Sequence, residues 1–106
     1  MSLPPEIDVT TAAAKFQAGA LLLDVREPAE VAHVCLPGGR HIPMREIPAA
    51  LADLPRDREI LVLCHHGGRS ARVTQFLRAQ GLSLATNIAG GIDAWATQVD
   101  PSLPRY

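Results

Sequence analysis

Apolar residues in this chain fall into short unbroken runs separated by stretches in which they recur at helical spacing. Leu21 to Val25, Ile60 to Leu63 and Thr86 to Ala89 are such runs, each ending near polar or glycine residues. Runs of this length, continuous rather than alternating, predict parallel strands covered by helices on both faces, and strands that alternate with helices predict an α/β sheet. Leu21 to Val25 and Ile60 to Leu63 read as the central strands. Ile7 to Val9 and Gly39 to Ile42 are shorter and read as peripheral strands, the second closed by Pro43. Between them, Thr10 is placed to cap a helix running to about Ala18 with Gly19 as its stop, and Pro28 sits where a first helical turn tolerates proline. Ile47, Leu51 and Leu54 recur at i, i+4 and i+7, and Val73, Phe76 and Leu77 at i, i+3 and i+4, so each set forms one buried stripe. A last helix runs from Ile92 to about Gln98, with Trp95 as its core anchor and Pro101 and Pro104 ending any helical continuation. The fold class is therefore α/β, with a mostly parallel sheet of about five short strands and helices on both faces.

Length fits one domain over residues 1–106, long enough to bury a core without staples, with a flexible start at about 1–6 and an irregular tail at about 99–106. Net charge is −1 with the basic residues scattered, which argues against a nucleic-acid stripe or a membrane-binding face. Met1 to Asp8 lacks the basic start and apolar middle of a signal peptide, and no apolar stretch reaches spanning length, so the expected compartment is the cytoplasm. Two cysteines, Cys35 and Cys64, are expected to be free thiols.

Chemistry concentrates in Cys64-His65-His66-Gly67-Gly68-Arg69-Ser70, between the run Ile60 to Leu63 and a helical stretch from Ser70 to Gln80. A strand that ends in a glycine-bearing loop and feeds directly into a helix aims several backbone N–H groups and the helix dipole at one spot. Such a spot can take a thiol's pKa from about 8.5 into the range of roughly 3.5 to 7.5. Cys64 is thus the candidate nucleophile rather than a structural cysteine at a strand end. Asp24 and Arg26 close one central strand and Gly90-Gly91 follow a third, so the carboxyl ends of the strands, where open α/β sheets place their crevice, gather all three groups.

These blocks, in order, resemble the rhodanese-like sulfurtransferase family over essentially the whole chain. Leu23 to Glu27 followed by Glu30 looks like the family's first signature, Leu36-Pro37-Gly38 through Ile42-Pro43 its second, Cys64 to Ser70 its active-site loop, and Gly90-Gly91-Ile92 with Ala94-Trp95 its last. The resemblance implies transfer of a sulfane sulfur from a small donor such as thiosulfate or a persulfide, through a persulfide on Cys64, to a thiophilic acceptor, without metal or organic cofactor. It implies that the backbone of His65, His66, Gly67, Gly68, Arg69 and Ser70 holds the anionic sulfur, with Gly67 and Gly68 allowing the tight curl. Arg69 either holds the anionic end of a donor or turns to solvent, and at least one of His65 and His66 lies on the rim. Asp24, Arg26 and Glu27 are expected to form a charge cluster that supports the loop.

Two positions depart from the family pattern. Val34-Cys35 replaces a Gly-His pair, and His41 stands where asparagine is common. The neighbours of Cys35 favour a buried structural cysteine over a resolving thiol. Rival readings are a non-catalytic binding module, against which Cys64 argues; a phosphatase or arsenate reductase, whose cradle needs a Cys-x5-Arg loop where this chain has Cys-x4-Arg; and a metal site, for which no zinc-type spacing is present. Residues 90–106 are similar to rhodanese domains attached to adenylyltransferases that charge small sulfur-carrier proteins, which points to a thiol or a sulfur-carrier protein as acceptor.

Overall fold

The computed structural model describes residues 4–106. Five parallel strands form one sheet in the order β1-β5-β4-β2-β3, with β1 at Glu6–Ile7, β2 at Leu21–Asp24, β3 at Arg40–His41, β4 at Ile60–Leu63 and β5 at Ala85–Ile88. The helices are α1 (Val9–Gln17), α2 (Pro28–His33), α3 (Ile47–Ala50), α4 (Gly68–Ala79) and α5 (Gly91–Gln98). No helix among the described residues is long and apolar enough to cross a membrane.

Every residue of β4 is buried, as its unbroken apolar sequence requires, and its side chains alternate between two cores. Leu61 and Leu63 join Leu22, Ile88, Val9, Ile92 and Trp95 beneath α1 and α5. Ile60, Val62 and Cys64 join Leu23, Ile47, Val73 and Leu77 beneath α3 and α4. The chain leaves β2 toward β3 on one side and β4 toward β5 on the other. The loops after β2 and β4 therefore part between neighbouring strands and open a crevice at their carboxyl ends.

Several boundaries differ from expectation. The first strand stops at Ile7 because Asp8 caps α1, its carboxylate accepting the Thr11 amide at 2.8 Å, so Thr10 lies inside the helix. Pro4 to Glu6, expected to be flexible, are tied to the sheet edge: the Asn87 amide donates to the Pro5 carbonyl at 2.8 Å, and Glu6 pairs with Asn87 in the strand register. Met1 to Leu3 lie outside the described residues. The stripe of Ile47, Leu51 and Leu54 is not one helix but α3 between 3-10 turns at Met44–Glu46 and Leu51–Asp53. Pro48 at its start and Pro55 after its end leave no room for a longer helix. Residues 99–106 carry neither helix nor strand.

At the end of β2 the fold buries an ion pair. The Arg26 guanidinium, fully buried, donates to Asp24 at 2.7, 3.0 and 3.1 Å and also reaches the Val34 carbonyl at 2.8 Å and the Tyr106 hydroxyl at 2.9 Å. It thus ties β2 to the end of α2 and to the tail. Removing one partner of such a pair strands a buried charge, which is far worse than never having the pair. Asp24→Ala is expected to lower the unfolding free energy by about 3 kcal/mol, measured as a drop in the urea midpoint at unchanged m value.

Candidate active site

The sulfur of Cys64 lies at the carboxyl end of β4 and at the start of the 12-residue α4. It accepts the Gly67 amide at 3.1 Å, the Ser70 amide at 3.4 Å and the Ser70 hydroxyl at 3.2 Å. Burial pushes its pKa up, but these hydrogen bonds from Ser70 and Gly67, with one from the His66 amide, outweigh it and hold the thiol below its ordinary value. Ser70 is itself fully buried, and its oxygen also lies 2.5 Å from Asn87 Oδ1. Asn87 Nδ2 faces two acceptors, Glu6 at 3.0 Å and the Gly67 carbonyl at 3.2 Å, so Oδ1 is the end turned to Ser70. One hydroxyl proton then faces two acceptors. In the thiol state it goes to Asn87; in the thiolate state it turns to the sulfur.

The other side of the loop rests on α5. The amides of Ile92 and Asp93 donate to the carbonyls of Cys64 and His65 at 2.9 and 3.1 Å. A Cβ at Gly91, whose φ is +58°, would lie 2.4 Å from both carbonyl oxygens, so only glycine lets the helix start close against the loop. Gly67 is equally constrained, at φ +108° with its missing Cβ facing Gly90 N at 3.2 Å. Gly68 is not: its Cβ direction is open, its φ is not positive, and it simply begins α4. The tight curl therefore needs Gly67 alone, contrary to the expectation for the pair.

Arg69 neither lies free in solvent nor points at an open anion site. Its guanidinium forks onto Glu30, at 2.6 and 2.9 Å. Glu30 also accepts the Tyr106 hydroxyl at 2.7 Å and the Glu27 amide at 3.0 Å, and together with Arg69, its strongest partner, these donors bring its pKa down to about 2 against partial burial. His65 stacks between His66, at 3.8 Å between ring centroids, and Tyr106, at 3.9 Å and nearly parallel. His66 is the exposed rim residue, and Nε2 of His65 is buried without a hydrogen-bond partner. Asp24 and Arg26 form the buried pair described above, and Arg26 extends toward the loop through the Tyr106 hydroxyl and the Glu30 carbonyl. Glu27 does not join that cluster; its side chain pairs with Arg45 at the surface.

Cys35 is exposed rather than buried, because Val34 and Leu36 on either side take the inward positions. It lines a shallow groove of about 150 Å³ with Asp24, Val31 and His41. His41 holds the Arg26 carbonyl through Nε2 at 2.7 Å. Among the described residues, His65, His66 and Asp93 place ligand atoms within 4.8 Å of one another. The stacked imidazoles do not present a tetrahedral donor set, and Asp93 is already bound by Arg105 at 2.9 Å.

Sequence reasoning did not assign Glu30, Asn87 or Tyr106 to the site. Glu30 had a signal, standing three residues after Glu27 around Pro28 as the far half of a capping box. Tyr106, at the far end of the chain, had none.

A model of the rhodanese-like domain matches residues 8–98. The chain belongs to the rhodanese-like domain family. The fold is similar to that of the human single-domain sulfurtransferase TSTD1, with a TM-score of 0.84 at 27% identity, over 91% of this chain and 98% of that one. A sulfurtransferase of Allochromatium vinosum is 40% identical over 76 residues, 72% of this chain and 71% of that protein. The rhodanese-like/PpiC domain-containing protein 12 of Arabidopsis thaliana is 41% identical over 95 residues, 86% of this chain, but the chain spans only 32% of its length. Some relatives that this chain spans over most of their length are named sulfurtransferases, among them the Allochromatium vinosum protein and, over 94% of its length, the putative sulfurtransferase YtwF of Bacillus subtilis. Tyr106 and Arg105 lie beyond the matched stretch.

Two outcomes follow from the loop geometry. Ser70→Ala removes the hydroxyl donor that favours the thiolate, so the Cys64 pKa should rise and the pH profile of iodoacetamide alkylation should move to higher pH; an unmoved profile would show the hydroxyl to be irrelevant. Gly67→Ala should lower thermal stability by about 1–3 kcal/mol through its positive φ, whereas Gly68→Ala should be neutral or gain about 0.5 kcal/mol from helix propensity. Differential scanning calorimetry separates the two.

Proposed function

We propose that this protein transfers sulfane sulfur by a double displacement through a persulfide on Cys64. The observation that carries the reading is the Cys64 sulfur itself, buried yet supplied with two loop and helix amides and a hydroxyl, and so favoured as thiolate. In the first half-reaction the thiolate attacks the outer sulfur of the donor, whose sulfur–sulfur bond breaks to release sulfite from thiosulfate or a thiolate from a persulfide. In the second, an acceptor nucleophile attacks the outer sulfur of the Cys64 persulfide and the Cys64 thiolate returns. The same amides stabilise the anion at both ends of the cycle, as an oxyanion hole does for a developing charge.

Cyanide or a thiol, small or on a sulfur-carrier protein, meets the acceptor's chemical requirement, and the resemblance of residues 90–106 to carrier-linked domains favours the carrier. Free thiols suit a reducing compartment, the cytoplasm in this reading. The phosphatase reading is disfavoured because Arg69, which would have to cradle a phosphate, is bound to Glu30. The pure binding-module reading is disfavoured because a binding surface has no use for a lowered thiol pKa.

The test is intact mass after exposure to thiosulfate or to a low-molecular-weight persulfide, for wild type and Cys64→Ala. The expected result is a gain of one sulfur in wild type that is absent from Cys64→Ala and discharged by cyanide. No Cys64-dependent gain with either donor would sink the proposal.

A further inference from the structure

We propose that Glu30 is a positioning residue that sets the preferred donor class: by holding Arg69, it slows transfer from thiosulfate and favours thiol persulfides of low charge. The inference rests on the sulfur-transfer reading above.

Arg69 is the loop's own cation, and a guanidinium in that place is the natural partner for the sulfonate end of thiosulfate. Here each of its terminal nitrogens donates one N–H to an oxygen of Glu30, so its charge is matched by that carboxylate. Glu30 is in turn held by the Tyr106 hydroxyl and by the Glu27 amide, so each of its carboxylate oxygens accepts two hydrogen bonds. The pair is partly exposed, with side chains 35% and 20% accessible, and Arg69 lies close enough to Cys64 to feel its charge. Two further arginines in this network are matched in the same way, Arg26 by Asp24 and Arg105 by Asp93. The three pairs carry no net charge.

The chemistry of the two donors differs most in the charge they bring. Thiosulfate approaches an anionic thiolate as a dianion, and when its sulfur–sulfur bond breaks the electron pair departs on sulfite, which carries both charges away. With the charge of Arg69 matched by Glu30, that approach loses the loop's own guanidinium and the leaving group loses its closest side-chain cation. In a thiol persulfide, R–S–SH, the Cys64 thiolate bonds to the outer sulfur, the bond to the inner sulfur breaks, and the electron pair leaves as R–S⁻. The proton stays on the transferred sulfur, giving Cys64–S–SH. No negative charge enters with this donor: the single charge of the Cys64 thiolate leaves on R–S⁻, and the loop amides already provided for Cys64 suffice.

The test measures second-order rates of Cys64 loading by thiosulfate and by cysteine persulfide for wild type, Glu30→Gln, Glu30→Gln/Arg69→Gln and Glu59→Gln. Glutamine at position 30 keeps the capping contact to the Glu27 amide while releasing Arg69. Glu59→Gln makes the same change in net charge beside Lys15 at the opposite end of β4. Comparing each donor ratio between variants cancels the donors' intrinsic reactivities. Glu30→Gln is expected to raise the thiosulfate rate at least about tenfold while the cysteine persulfide rate stays within about twofold, and the double variant should lose the gain. Glu59→Gln should match wild type. An unchanged or lowered thiosulfate-to-persulfide ratio in Glu30→Gln, or a gain that survives loss of Arg69, would overturn the role of Glu30 while leaving sulfur transfer standing. Failure of both donors to load Cys64 in every variant would instead remove the sulfur-transfer reading and this inference with it.

Discussion

The loop from Cys64 to Ser70 is held from both sides by helix N-termini, and the site depends on that double closure. On one side, α4 directs its first amides at the Cys64 sulfur; on the other, α5 directs two amides at the carbonyls of Cys64 and His65. Either contact alone would leave the loop free to turn its polar groups to solvent. Together they fix the sulfur inside a positive cradle while leaving the backbone carbonyls satisfied, which is the arrangement a buried thiolate needs. The approach of α5 is possible because Gly91 has no Cβ, and that of α4 because Gly67 takes a positive φ.

The parallel sheet serves this closure by aligning strand ends. Since β2, β4 and β5 run in register, the residues after them arrive at one edge: Arg26, Cys64 and Gly90-Gly91. The buried Asp24–Arg26 pair is costly to desolvate, and it is retained where it joins β2 to α2 and the tail. Through Tyr106 and Glu30, that same pair reaches Arg69. A chain of polar contacts thus runs from the core of the sheet to the mouth of the site, and it sets the electrostatics of the mouth.

A reactive thiol and a charge-balanced entrance belong together. The sulfur is activated by backbone dipoles, which stay in place whatever the entrance does, so side-chain charges at the mouth are available for selecting what arrives. Ser70 links the two levels, since its single proton is shared between the sulfur and Asn87 on the neighbouring strand.

How much of this was legible in the sequence follows from the range of each interaction. Unbroken apolar runs specify buried parallel strands because both faces of such strands are covered. The order strand, cysteine, glycine, helix specifies an anion-binding turn because the next few residues along the chain supply all the amides. The fold class and the anion-binding turn at Cys64 were readable on those grounds, and the family from its four ordered motifs. Local rivalry blurred the boundaries: Asp8 outcompetes Thr10 as a cap, and Pro55, which holds Leu54 extended, cuts short a stripe that periodicity alone would continue. Cys35 faces out because alternation on an irregular segment is decided by which neighbours reach the core, not by their average hydropathy. Contacts made across long stretches of chain were decided by the tertiary structure alone. Arg69 meets Glu30, Ser70 meets Asn87 and Tyr106 stacks on His65 only because the sheet order brings their elements to one edge, and side-chain pairing of that kind leaves no periodic trace in the sequence.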